Sequence, residues 1–127
     1  MMPRPPARII IADDDLDLCE LLETKFRQSD FEVFTARDGL QTIEMIRSVQ
    51  PVLVILDIIM PSMSGMEVLV QMRSEPAIAS IPVILMTAER REKDISIGFA
   101  LGIVDYIVKP FNLKDLVAQA KGAIEGM

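Results

Sequence analysis

Apolar and polar positions fall in blocks along the chain, and their period changes from block to block. The run "RIIIA" (8–12) is unbroken and β-branched, the pattern of a strand buried on both faces. Leu18, Leu21, Leu22 and Phe26 follow at spacings that predict one face of a helix. "FEVFTA" (31–36) is mixed and suits an edge strand, and residues 38–48 predict a helix carrying Leu40, Ile43 and Ile46. "VLVILD" (52–57) is a second unbroken run, "PSMSG" (61–65) a loop, and Met66, Leu69 and Met72 open a third helix. "IPVILMTA" (81–88) predicts a strand, 89–101 a helix, and "DYIVKP" (105–110) a strand. Leu113, Leu116, Val117, Ala120 and Ile124 predict a last amphipathic helix.

Strands and helices thus alternate five times, which predicts the α/β class: a single doubly wound, five-stranded parallel sheet with helices on both faces. A length of 127 residues fits one domain, expected over 7–125 after a loose, three-proline tail at 1–6.

Composition narrows the function. Thirteen basic and nineteen acidic residues leave a net charge of −6, which argues against direct nucleic-acid binding and favours cations or basic partners. The chain has no histidine, which excludes Ser-His-Asp and Cys-His catalysis and most zinc sites; phosphate carried by this chain must sit on another residue type. The one cysteine, Cys19, allows no intrachain disulfide and falls on a helical pattern as a small buried hydrophobe. "MMPRPPAR" lacks the apolar stretch of a signal peptide, and no run nears the ~18 apolar residues of a membrane helix, so a cytoplasmic, non-membrane protein is expected.

Open α/β sheets bind ligands beyond the carboxyl ends of their strands. Here those ends carry Asp13-Asp14-Asp15, Asp57, Thr87-Ala88 and Lys109-Pro110. The flavodoxin-like order 2-1-3-4-5 would make the first and third strands neighbours and gather Asp13, Asp14 and Asp57. Two carboxylates ~5 Å apart repel by about 3 kcal/mol at an effective dielectric of ~20. A hard divalent cation such as Mg²⁺ removes that conflict, and Lys109 and Thr87 add a positive charge and a hydroxyl. Carboxylate, cation, lysine and hydroxyl together suit a phosphoryl group. A calcium loop counted from Asp13 fails, because its glycine would be Leu18 and its closing glutamate Thr24. Asp15 and Asp17 are better read as the start of a helix.

The acidic pair after "IIIA", then "VILDIIMPSMSGMEVL", "IPVILMTA" and "DYIVKPF", in that order and spacing, resemble the receiver domain of two-component response regulators of the chemotaxis-regulator type, over about residues 7–125. The resemblance implies a flavodoxin-like (βα)5 fold and a signalling protein rather than a dedicated enzyme, with only weak Mg-dependent self-phosphorylation and autodephosphorylation. It implies that Asp57 accepts a phosphoryl group from an external histidine. Mg²⁺ (or Mn²⁺) would be held by Asp14 directly, Asp13 mainly through water, Asp57, and the backbone carbonyl of Ile59. Thr87 would be the switch hydroxyl, Tyr106 the aromatic that reports the state, and Lys109 the cation on the phosphoryl oxygens, with a cis Lys109-Pro110 bond. Implied partners are a histidine kinase or histidine phosphotransfer protein, and a downstream target or fused output domain reached through the last two helices and last strand. The chain would be a monomer or a phosphorylation-promoted dimer, stand-alone or excised from a longer regulator. Ile103 and Val104 stand where many receivers have alanine and aspartate, and Leu16 where proline often follows the acidic cluster.

The competing reading is a phosphatase similar to the haloacid dehalogenase family, with an aspartate nucleophile near Asp13 in "DDDLD"; its expected threonine or valine four residues on is missing. A flavin or nucleotide binder would need a glycine-rich loop after the first strand, where aspartates stand instead. A degenerate receiver would lack an acidic or lysine position, and this chain has them all. Ile95, Gly98, Phe99 and Gly102 form one helical face; Ile97 and Leu101 lie off it, as a partner surface or as extra cover for the core.

Overall fold

The computed structural model describes residues 5–126, and strands and helices alternate along them. They are β1 (Arg8–Ala12), α1 (Leu16–Gln28), β2 (Glu32–Ala36), α2 (Gly39–Val49), β3 (Leu53–Asp57), α3 (Gly65–Ser74), β4 (Val83–Thr87), α4 (Glu92–Ala100), β5 (Asp105–Val108) and α5 (Leu113–Glu125). All strands pair in parallel, in the order β2-β1-β3-β4-β5. Residues 1–4 of the expected tail lie outside the described residues, and 5–7 have no regular structure.

Each strand residue faces the side opposite to its neighbours, so β1, β3 and β4 feed two cores. Ile10, Ala12, Val54, Leu56, Val83 and Leu85 pack with Ile43 and Ile46 of α2 and Val68, Leu69 and Met72 of α3. Ile9, Ile11, Leu53, Ile55, Ile84 and Met86 pack with Leu22 and Phe26 of α1 and Leu116, Val117 and Ala120 of α5. Burial on both faces explains why β1, β3 and β4 read as continuous apolar runs.

The helix faces differ in detail from the pattern. Leu21 is 53% exposed while Leu22 is fully buried. At 100° per residue, Leu21 lies about 130° from the centre of the buried Cys19–Leu22–Phe26 stripe. Leu40 is displaced in the same way from the buried face of α2. Phe99 is 49% exposed and lies edge-on to Tyr106 instead of joining Ile95 and Gly98 in the interior. Of the pair Ile97 and Leu101, the first is exposed and the second packs on the core. α4 begins three residues later than predicted, because Glu89 is held in a loop by the Thr87 hydroxyl.

Candidate functional site

Register builds the site. Ala12 of β1 lies opposite Leu56 of β3, so the residues that follow, Asp13 and Asp57, emerge side by side at the carboxyl rim. The Asp13 backbone N–H still donates to Ala36 O at 3.0 Å, holding it in line with β2. Beneath it, the buried Cys19 thiol donates to Asp13 O at 3.3 Å. Burial pushes that thiol up to about 11, with Asp13 and Asp15 adding to the shift, so Cys19 is a packing residue. The chain then turns into α1. Asp15 is the N-cap, its Oδ1 accepting from Leu18 N at 3.1 Å, and Asp17 lies in the first turn.

Lys109 reaches the same point from the end of β5. Its backbone N–H bonds Thr87 O at 2.7 Å, and Lys109-Pro110 is cis. Its ammonium lies 2.5 Å from Asp13 Oδ2 and 3.2 Å from Asp57 Oδ2. Asp13 Oδ1 accepts from Asp15 N at 2.9 Å, and Asp57 Oδ1 from Ile59 N at 3.3 Å. Asp13 and Asp57 are buried; Asp14 is exposed at the mouth. One carboxylate oxygen from each of Asp13, Asp14 and Asp57 comes within 4.8 Å of the others.

The charges are incompletely balanced: three carboxylates face one ammonium. Burial and then the Asp13 charge push the Asp57 carboxyl above its ordinary range, against the pull of Lys109. Burial alone would lower the Lys109 ammonium, but the hydrogen bond to Asp13 and the charges of Asp13 and Asp57 outweigh it and hold it up, so it stays charged. An all-oxygen, net-negative donor set, open through Asp14, fits a hard divalent cation. It does not fit a soft metal that needs thiolate or imidazole.

Thr87 and Tyr106 stand apart from that cluster. Thr87 is buried, yet its hydroxyl donates to Glu89 O and accepts from Glu89 N at 3.4 Å. Tyr106 is half-buried between Phe99, with ring centroids 6.2 Å apart, and the Arg90 guanidinium, 5.8 Å from its ring centre. Sequence reasoning did not single out Asp38, Gly39, Ser62 or Gly65, which shape the loop after Asp57. The Asp38-Gly39 pair before a helical pattern was the available signal.

The comparisons with known proteins agree with one another. The response regulator receiver domain family matches residues 9–121. The DNA-binding response regulator MtrA of Mycolicibacterium paratuberculosis is 34% identical over 117 residues, covering 92% of this chain and 51% of that one. The chain spans about half the length of the curated relatives it matches. Among solved structures, the non-phosphorylated HemR receiver domain of Leptospira biflexa superposes with a TM-score of 0.86 at 26% identity, covering 93% of this chain and 94% of that one. The signal receiver domain of a signal transduction histidine kinase from Syntrophus aciditrophicus gives 0.86 at 26% identity, covering 95% and 92%. The phosphatase reading gains no support from these, and Asp15, the second carboxylate of its Asp-x-Asp, is spent as the α1 cap.

Proposed function

The chain belongs to the response regulator receiver domain family, a signalling class, and on that premise we propose that Asp57 is its phosphoacceptor. The observation that carries this reading is the placement of Asp57 beside Lys109 and the Asp13–Asp14 pair, at the rim of a buried sheet.

An Asp57 oxygen attacks the phosphorus of an external phosphohistidine. The P–N bond breaks, its electron pair leaves on the imidazole nitrogen, which takes up a proton, and an acyl phosphate forms on Asp57. Lys109 is already poised at Asp57 Oδ2 and turns to the new phosphoryl oxygens, still tethered to Asp13. Asp14, Asp13, Asp57 and the Ile59 carbonyl would hold Mg²⁺ or Mn²⁺, which supplies charge neutralisation at the transferring oxygens. The Thr87 hydroxyl leaves Glu89 to donate to the phosphoryl group, the β4–α4 loop follows, and Tyr106 moves with it. Water later hydrolyses the acyl phosphate slowly, so the chain resets itself without being a dedicated enzyme.

A histidine kinase or histidine phosphotransfer protein is the proposed donor. A cleft of about 270 Å³ lined by Leu18, Leu21, Lys109 and Phe111 borders the site and supports this reading. The proposed output face is α4, β5 and α5, where Ile97, Phe99 and Val104 are exposed. It would meet a downstream protein, an output domain or a second copy, and the net charge of −6 favours protein over direct nucleic-acid contact. Among the described residues no helix is long and apolar enough to cross a membrane.

Beryllofluoride, a phosphoryl mimic, tests the assignment. It should bind the wild type only with Mg²⁺ and fail to bind Asp57→Ala; equal binding to that variant would remove Asp57 from the role.

A further inference from the structure

The loop between β3 and α3 is closed at its base and pinned at its far side. At the base, Gly65 N–H donates to Ile58 O at 2.7 Å, and a Cβ on Gly65 would stand 2.0 Å from Asp57 O. At the far side the loop rests on the N-terminus of α2. Gly39 N–H donates to Pro61 O at 3.1 Å, and a Cβ on Gly39 would stand 2.1 Å from Met63 O.

Ser62 completes that contact. Its hydroxyl donates to Asp38 Oδ1 at 3.2 Å and accepts from Leu40 N at 3.1 Å. Asp38 Oδ1 also caps α2 by accepting from Gln41 N at 2.8 Å. Ser62 holds a left-handed φ of 66°, a region serine rarely enters unless its surroundings impose it. The same loop carries Ile59, whose N–H bonds Asp57 Oδ1. A shift of its apex would therefore move Ile59 and, through it, the Asp57 carboxylate of the acidic cluster.

We propose that Ser62 is a positioning residue: its hydroxyl fixes the loop of residues 58–64 on the N-terminus of α2 and thereby sets the affinity of the Asp13–Asp14–Asp57 site for a divalent cation. This rests on the proposed role of Asp57 and its neighbours. Outer groups that orient metal ligands commonly matter by tenfold or more in affinity.

The test compares Ser62→Gly, Ser62→Asn and Asp57→Ala with the wild type in Mg²⁺ calorimetry, urea unfolding without Mg²⁺, and amide exchange at Leu40. Glycine accepts the left-handed backbone, so Ser62→Gly should keep near-native stability while Leu40 exchanges faster and Mg²⁺ binds about tenfold more weakly. Asparagine tolerates the same backbone and keeps a polar side chain, so it should restore affinity close to wild type. Wild-type affinity in Ser62→Gly, or an equal loss in Ser62→Asn, overturns the proposal. If the wild type binds no Mg²⁺, or Asp57→Ala binds it equally well, the parent reading of the site falls, and this proposal with it.

Discussion

Lys109 and Asp57 stand 3.2 Å apart although a whole strand, β4, separates β5 from β3 in the sheet. The lysine stem spans that strand and places one ammonium between two buried carboxylates. Lys109→Ala should therefore destabilise the Mg²⁺-free chain by about 3 kcal/mol in urea unfolding, because it strands Asp13 and Asp57 without a cation. Asp57→Asn should do the opposite and raise stability by roughly 1 kcal/mol, since burial of the charge and then the Asp13 carboxylate together disfavour the ionised Asp57 more than Lys109 favours it. Opposite signs for the two variants are the diagnostic; destabilisation by both would mean that the carboxylates are not in conflict.

The two leucines of α1 make a paired test of the fold. Leu22→Ala removes a fully buried side chain and should cost 2–5 kcal/mol, whereas Leu21→Ala, at a half-exposed position, should change stability by less than about 0.5 kcal/mol. Equal costs in chemical denaturation would contradict the observed helix orientation.

Mg²⁺ should raise the melting temperature of the wild type. At ten times its dissociation constant a cation that binds only the folded state adds about 1.4 kcal/mol, a rise on the order of 5 °C for a chain of this size. Asp14→Ala should lose that increment. Because Asp14 is exposed, its removal should leave the metal-free melt nearly unchanged, which separates lost binding from lost folding.

Much of this was legible in the sequence. Continuous runs at β1, β3 and β4 announced a sheet buried on both faces; the residues ending those strands named the acidic cluster and Thr87, and the end of β5 named Lys109. The register then did what the order 2-1-3-4-5 requires and brought Asp13 to Asp57. What was not legible depends on contacts rather than periods. Leu21, Leu40 and Phe99 fit an apolar stripe, but only packing decides where its centre lies. Thr87 ends its strand as expected, yet its hydroxyl turns to Glu89, a choice made by the local loop. Ser62 carries no glycine or asparagine to mark a left-handed turn, and its partners Asp38 and Leu40 lie more than twenty positions away in the chain.

The central assignment is Asp57 as phosphoacceptor, and the most direct measurement is the site of phosphoryl transfer itself. The chain is incubated with a small-molecule phosphodonor and Mg²⁺, and the modified peptide is identified by mass spectrometry. One phosphoryl group on the peptide containing Asp57, absent without Mg²⁺ and absent in Asp57→Asn, is the predicted result. Modification at Asp13, as the phosphatase reading would have it, or undiminished incorporation in Asp57→Asn, would contradict it.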